Sequence, residues 1–156
     1  TIGNNGHFLA YAHVAHDCVV GNGVIFSNNG TLAGHVSVDD NAIMGGLSAV
    51  HQFCRIGRHA ITGGCSKIVQ DVPPFMIADG NPAQVRGINS VGLQRHGFDK
   101  DQIRDLKQSY RLIYRSNLTL KDAVEKLKEQ FADKEEEYPV QELISFIEAS
   151  ERGIIR

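Results

Sequence analysis

The sequence predicts a left-handed parallel β-helix of hexapeptide repeats followed by a C-terminal three-helix domain. The prediction depends on an apolar period of six residues from Ile2 to Ile68 and on three helix-type apolar stripes after residue 98. The corresponding domains are 1–73 for the β-helix, 74–98 for an irregular linker and 99–156 for the helical domain.

The six-residue period does not slip over twelve hexads. Eleven of the twelve positions counted by six from Ile2 are apolar, and a residue no larger than Val stands four places after each. Neither an α-helix nor a half-buried strand has this period, whereas one side of a triangular β-coil does. The large residue then fills the interior and the small one fits beside a corner. Gly or Asn in "GNN", "GNG" and "SNNG" allows left-handed corner conformations.

Stacking of the coils gathers polar residues at one corner. Three hexads make a coil, so residues 18 apart in sequence stack about 4.8 Å apart along the axis. His16 is thus in register with Gly34 and Gln52, and Asp17 is in register with His35. The polar residues at this corner or on the flat side leading into it, called the histidine corner below, are His13, His16, Asp17, His35, His51 and Gln52.

The histidine corner has the residue types of an acyl-transfer site. A neutral imidazole suits general-base chemistry near neutral pH. Attack of a sugar hydroxyl on a thioester also needs a donor for the oxyanion, and the backbone N–H of Gly34 is a candidate. Two alternatives stay open, since polar residues favour exposed corners without any function and Gly34 fits equally well as a plain corner residue. His7 and His59 lie elsewhere and are expected at the surface.

A metal site is the rival interpretation of the histidines. The γ-class carbonic anhydrases bind zinc through three histidines on a six-residue repeat. Their pattern needs a histidine five places after its partner, and here Ile56 stands five places after His51. Cys18 and Cys54 lie two coils, or about 9.6 Å, apart, which is too far for a disulfide. We therefore expect no metal, no cofactor and, with Cys65, reduced thiols.

Composition argues against two broad classes of partner. The formal net charge is −2 and no basic cluster stands out, so no nucleic-acid partner is expected. No apolar run approaches the roughly 20 residues of a membrane span, and no leader-type segment opens the chain. A soluble, cytoplasmic protein is the expectation.

The repeat stops at Pro73 and Pro74, and the turn-forming residues that follow predict the irregular linker. Three amphipathic helices come next. The first is capped by Asp99, the second by Thr119, and the third presents Val140 in its apolar stripe after an acidic run. The stripes are most simply helix-packing faces.

Seven segments together carry a resemblance to a known family. They are "AHVAHDCVVGN", "TLAGHVSVDD", "AVHQFCRIG", "GGCS", "DVPPFMIADGNPA", "GINSVGLQRHGF" and "ERGIIR". Their order and spacing, from Thr1 to Arg156, resemble the UDP-N-acetylglucosamine O-acyltransferases of lipid A biosynthesis in Gram-negative bacteria. The resemblance implies transfer of an (R)-3-hydroxyacyl chain from acyl carrier protein to the glucosamine 3-hydroxyl of UDP-N-acetylglucosamine. It also implies a homotrimer with its grooves between subunits.

The resemblance implies a role for each site residue. His16 is the general base, Asp17 supports it and Gly34 donates to the oxyanion. Two positions depart from the family pattern, with Val91 in place of Glu and His96 in place of Arg, so nucleotide contacts are expected to be weaker or differently arranged. The substrate-binding residues implied are His13, His35, His51, Gln52, Gly64, Asn89 and Arg95, with Gly64 along the acyl groove and a chain of about 14 carbons preferred.

Other functions remain open at this stage. A sister N-acyltransferase of the same pathway should have a shorter helical end, and a generic acetyl-CoA hexapeptide acetyltransferase should lack the three-helix tail. The chain also begins inside the repeat, at "TIGNN". We therefore expect it to be the C-terminal part of a longer protein, and taken alone it could be an inactive β-helical structural module.

Overall fold

The computed structural model describes residues 1–156 and confirms the predicted parallel β-helix. Eleven two-residue strands follow one another at six-residue intervals, and the second residue of each is the large residue of the repeat. The strands are β1 His7–Phe8, β2 His13–Val14, β3 Val19–Val20, β4 Ile25–Phe26, β5 Thr31–Leu32, β6 Ser37–Val38, β7 Ile43–Met44, β8 Ala49–Val50, β9 Arg55–Ile56, β10 Ile61–Thr62 and β11 Lys67–Ile68.

Strands three apart in the chain pair in parallel, in the predicted 18-residue register. Phe8 lies opposite Phe26, and His13 lies opposite Thr31. The pairs build three sheets with the orders β1-β4-β7-β10, β2-β5-β8-β11 and β3-β6-β9, the first of which continues into two later strands. The interior is apolar and closely packed, with Phe26, Leu32 and Ile56 fully buried.

The corners between the sheets repeat one backbone conformation. The second corner residue has a positive φ in every coil, at expected residues such as Asn29 but also at Asp17 (58°), His35 (59°) and Phe53 (65°). A left-handed conformation costs an L-residue about 1–2 kcal/mol, so the packing of the adjacent hexads must impose it. The side chains of Asp17, His35 and Phe53 are thereby held at the same corner in successive coils.

The segment after the repeat is not the irregular linker that the sequence predicted. It contains strands β12 Met76–Gly80 and β13 Ala83–Ile88, which form an antiparallel hairpin, and helix α1 Ser90–Arg95. β12 pairs in parallel with β10 and so extends the first sheet. Of the turn residues that suggested a loop, Asn81 and Pro82 form the hairpin tip and Pro73 and Pro74 precede β12. The domain boundaries at residues 73 and 98 stay a prediction.

The three predicted helices are present as α2 Lys100–Tyr114, α3 Leu120–Gln130 and α4 Pro139–Ala149. With α1 the chain has four helices. Asp99 and Gln102 form a complete capping box at the start of α2, and the Thr119 side chain accepts a hydrogen bond from the Asp122 N–H. None of the four has the length and apolar character that a bilayer-spanning helix needs.

The last residues of the chain pack against the final coil. Ile154 forms a parallel bridge with Asp71, whose backbone N–H donates to the Gly153 carbonyl. The Asp71 carboxylate accepts from the Ser150 hydroxyl at 2.6 Å and from the Arg55 N–H at 2.8 Å. The tail therefore covers the edge of the β-helix beside the third sheet.

His59 is buried, contrary to the expectation of a surface residue. Its side chain lies among the rings of Phe75, His96 and Phe98 and is only 2% exposed. Loss of solvent lowers the pKa of His59 to about 4, so the ring is neutral at pH 7. Its partners come from the hairpin and from the segment around α1, which the sequence analysis treated as a loop.

Two of the three cysteines lie inside the β-helix. Cys18 and Cys54 are buried, whereas Cys65 is exposed, and all three are free thiols. The Cys18 thiol donates to the Ala33 carbonyl, and burial raises the pKa of Cys54 to about 11. The Cys54 thiol therefore stays protonated, and both buried cysteines serve as packing residues.

Candidate active site

His16 and Asp17 form a hydrogen-bonded pair at an exposed corner. His16 Nδ1 lies 3.0 Å from Asp17 Oδ2. This hydrogen bond holds the pKa of Asp17 below its usual value, and the nearby His35 lowers it further. An ionised carboxylate can only accept, so Nδ1 carries the proton in this bond. The lone pair of His16 Nε2 is then free to accept a proton from a substrate.

The His16 ring lies directly against Gly34 of the next coil. A Cβ on Gly34 would stand 2.5 Å from His16 Cε1 and 2.7 Å from Nε2, so only glycine leaves room for the ring. The Gly34 N–H donates no hydrogen bond within the chain. A possible proton acceptor and a free backbone donor thus lie side by side, which is the arrangement that addition to a carbonyl requires.

His35 extends the pair into the next coil. Its Nε2 lies 3.7 Å from the same Asp17 oxygen that binds His16, and its ring meets the His16 ring edge-on at 5.2 Å between centroids. On the other side it stacks on Phe53 at 4.8 Å, with an angle of 15° between the ring planes. One carboxylate therefore faces two imidazoles, and an aromatic ring backs the second of them.

The other members of the histidine corner lie nearby but make fewer contacts. His13 is exposed on β2, on the sheet that leads into the corner. His51 and Gln52 are exposed in the third coil, where His51 Nδ1 lies 3.1 Å from the Gln52 carbonyl oxygen. These side chains are exposed and therefore accessible to a ligand.

The corner also offers a set of metal-ligand atoms that the sequence analysis missed. One atom from each of His16, Asp17 and His35 can be chosen so that all three lie within 4.8 Å of one another. A histidine pair five places apart lies close along the chain, whereas these three residues come from two stacked coils and are brought together by the 18-residue register.

Three predicted substrate-binding residues lie away from the histidine corner. Gly64 stacks on Gly46 at a different corner of the triangle, where a Cβ would meet only the Gly46 carbonyl, at 3.5 Å. Arg95 is exposed at the end of α1. Asn89 is buried, with its side chain accepting from the Gly92 N–H and donating to the His59 carbonyl. Asn89 therefore caps α1 and ties it to the His59 backbone.

Two further features were not predicted. The first is Phe53, which stacks on His35 and was missed because an exposed aromatic ring carries no sequence signal of its role. The second feature is a cationic face on α2, whose spacing of four, three and four residues could have revealed it. Its members, called the α2 basic face below, are the exposed Lys100, Arg104, Lys107 and Arg111, of which only Arg104 has carboxylate partners within the chain.

The chain matches known proteins over its whole length. It is 50% identical over 157 aligned residues to the acyl-acyl-carrier-protein–UDP-N-acetylglucosamine O-acyltransferase of Burkholderia orbicola, and 51% identical to that of Verminephrobacter eiseniae. The alignments cover all of this chain and 60% of each relative. The chain thus spans about three fifths of the length of these proteins.

Solved structures agree with the sequence relatives. The crystal structure of UDP-N-acetylglucosamine acyltransferase from Francisella novicida superposes with a TM-score of 0.94 at 36% identity, over 99% of this chain and 56% of that one. The O-acyltransferase from Moraxella catarrhalis gives 0.91 at 42% identity, over 99% and 59%. The family profile described as "Udp N-acetylglucosamine O-acyltransferase; Domain 2" matches residues 71–155. The chain belongs to the UDP-N-acetylglucosamine O-acyltransferase family.

Proposed function

We propose that the protein containing this chain transfers an (R)-3-hydroxyacyl group from acyl carrier protein to the 3-hydroxyl of UDP-N-acetylglucosamine, the first step of lipid A biosynthesis. The observation that carries the proposal is the His16–Asp17 pair against Gly34, which supplies both a base and an oxyanion donor. The names of the relatives support the choice of nucleotide sugar and carrier-bound acyl donor.

The proposed reaction runs through His16 Nε2. It removes the proton of the sugar hydroxyl as the oxygen attacks the thioester carbon, while Asp17 stabilises the imidazolium that forms. The Gly34 N–H donates to the oxyanion of the tetrahedral intermediate. Collapse of the intermediate breaks the C–S bond, and the departing carrier thiolate takes the proton back from His16. The base ends the cycle neutral and needs neither metal nor cofactor.

The α2 basic face supports a protein as the acyl donor. Four exposed cationic side chains on one helix face create a positive potential, and only Arg104 is neutralised by neighbouring carboxylates. Such a surface attracts an acidic partner and orients it during encounter. A hydroxyacyl-acyl carrier protein fits this requirement, whereas a small thioester such as acetyl-CoA would need no docking surface. We place the reaction in the cytoplasm, where the carrier and the nucleotide sugar are found.

The division of predicted substrate residues between corners supports a homotrimer. The triangular cross-section has three corners, and His16 and Gly64 lie at two of them. His59 lies at the third corner and contacts the segment around α1 that carries Arg95. A groove that used all three would have to lie between subunits. Buried Asn89 then acts by holding α1, and Arg95 is the side chain free to reach the nucleotide. Sedimentation of the complete protein tests the assembly, and a monomer would exclude the shared groove.

The central experiment is an activity assay on the complete gene product. We expect turnover with UDP-N-acetylglucosamine and a hydroxyacyl carrier protein, and a loss of about 10²–10⁴-fold in kcat in His16→Ala, the usual contribution of a general base. His7→Ala is the matched control, since His7 is also exposed but lies on β1, outside the histidine corner. Near-normal turnover by folded His16→Ala would exclude His16 as the base.

Additional substrates in the same assay separate the alternatives. Acetyl-CoA as the preferred donor would indicate a generic hexapeptide acetyltransferase, and an amino sugar as the preferred acceptor would indicate the sister N-acyltransferase. Residues 1–156 assayed alone, beside the complete product, show whether this part of the protein is by itself only a structural module.

A further inference from the structure

Phe53 and His35 form a stacked pair that contacts the candidate base and its carboxylate. The two rings are nearly parallel, with 4.8 Å between centroids, and both residues adopt the left-handed corner conformation in successive coils. His35 in turn contacts Asp17 at 3.7 Å and the edge of the His16 ring. Contacts therefore run without a gap from Phe53 through His35 and Asp17 to His16.

Little else holds the His35 ring in place. A cavity of about 350 Å³ opens beside the pair, and its walls include Arg55 and the tail residues Glu151 and Arg152 together with His35 and Phe53 themselves. The ring thus has room to turn away from Asp17 on this side. Stacking on Phe53 is the contact that opposes such a turn, because aromatic pairs favour defined relative orientations.

We propose that Phe53 is a positioning residue that, by stacking on His35, keeps the Asp17 carboxylate aligned with His16 Nδ1. Phe53 does not touch the reacting atoms. It limits the rotamers of His35, and His35 limits those of Asp17, so that His16 stays in the tautomer with a free Nε2. The kinetic part of this inference rests on the proposed acyl transfer, whereas the effect on the histidines is a property of the protein without substrates.

The test compares Phe53→Leu with Phe53→Tyr in the complete protein. Leucine keeps an apolar side chain but removes the ring, while tyrosine keeps the ring. Because an aromatic pair of this kind changes an orientation equilibrium by up to about tenfold, we expect kcat to fall about three- to tenfold in Phe53→Leu and KM for the nucleotide sugar to stay within about twofold. Phe53→Tyr should restore kcat. Val19→Ala removes an exposed apolar side chain from the neighbouring sheet and should change nothing.

The second measurement is the nitrogen NMR spectrum of the histidine rings in protein without substrates. We expect His16 to show one protonated Nδ1 in the wild type and in Phe53→Tyr, and an average of two tautomers in Phe53→Leu. Unchanged ring-nitrogen signals in folded Phe53→Leu would overturn the proposal, with or without a loss of kcat. If the wild type fails to turn over the two substrates, the proposed function is wrong, and the NMR comparison still decides the role of Phe53.

Discussion

Replacing Gly34 by alanine should displace the candidate base without removing it. The new Cβ would stand 2.5 Å from His16 Cε1, against at least 3.4 Å for an ordinary contact, so the imidazole must retreat by about 1 Å. The His16 side chain is 73% exposed and can move into solvent. The backbone N–H at position 34 is retained, and its φ is one that alanine accepts.

The expected effect is on the chemical step. A misplacement of about 1 Å at a reacting group can cost about 10²-fold in rate, and the same movement strains the 3.0 Å bond from His16 to Asp17. We therefore expect kcat to fall about 100-fold in Gly34→Ala, with both KM values within about threefold. The free energy of unfolding should change by less than about 1 kcal/mol, because no buried group is displaced.

Steady-state assays and thermal unfolding of the complete protein check this prediction. Gly46→Ala is the matched control, since Gly46 holds the same place at the neighbouring corner but a Cβ there meets nothing closer than 3.5 Å. We expect the control to keep wild-type kcat. A folded Gly34→Ala protein with wild-type kcat would show that the ring seen against Gly34 is not the working base.

Three further predictions follow from the same structure. Gly64→Met should shift the preferred acyl chain from about 14 towards 10 carbons. Four methylenes at about 0.8 kcal/mol each should change the selectivity between the two donors by about two orders of magnitude. An unchanged product ratio with the two donors in competition would refute an acyl groove at Gly64. Dialysis against a chelator should leave activity intact, and a loss that zinc restores would assign the ligand atoms of His16, Asp17 and His35 to a metal. The free energy of unfolding should decrease as pH falls from about 6.5 to 4, because His59 is protonated at a higher pH in the unfolded chain than in the folded chain. The total decrease in the free energy of unfolding is about 3 kcal/mol. Urea titrations should show a flatter pH dependence for His59→Asn than for the wild type.

The family resemblance and the stacking rule locate the candidate site to different degrees. Register alone brought His16, Asp17, Gly34 and His35 to one corner, and the structure puts these four in contact. Register could not reveal that one carboxylate serves two imidazoles, since that depends on side-chain rotamers. Asn89 shows what the resemblance could not supply, because its side chain is buried and makes hydrogen bonds to the His59 carbonyl and the Gly92 N–H; its expected place near the nucleotide stays a prediction.

The sequence by itself determined the β-helix, its 18-residue register and three of the four helices. Those features arise from local rules that repeat. Every hexad places one large apolar residue inside the coil, each of the three long helices has an apolar stripe, and α2 and α3 also have a side-chain N-cap. Only the tertiary structure decided the hairpin on the first sheet, the burial of His59 against Phe98, the bridge from Ile154 to Asp71 and the support of His35 by Phe53. Each of these depends on single contacts between residues well separated along the chain, and a contact made once leaves no period in the sequence.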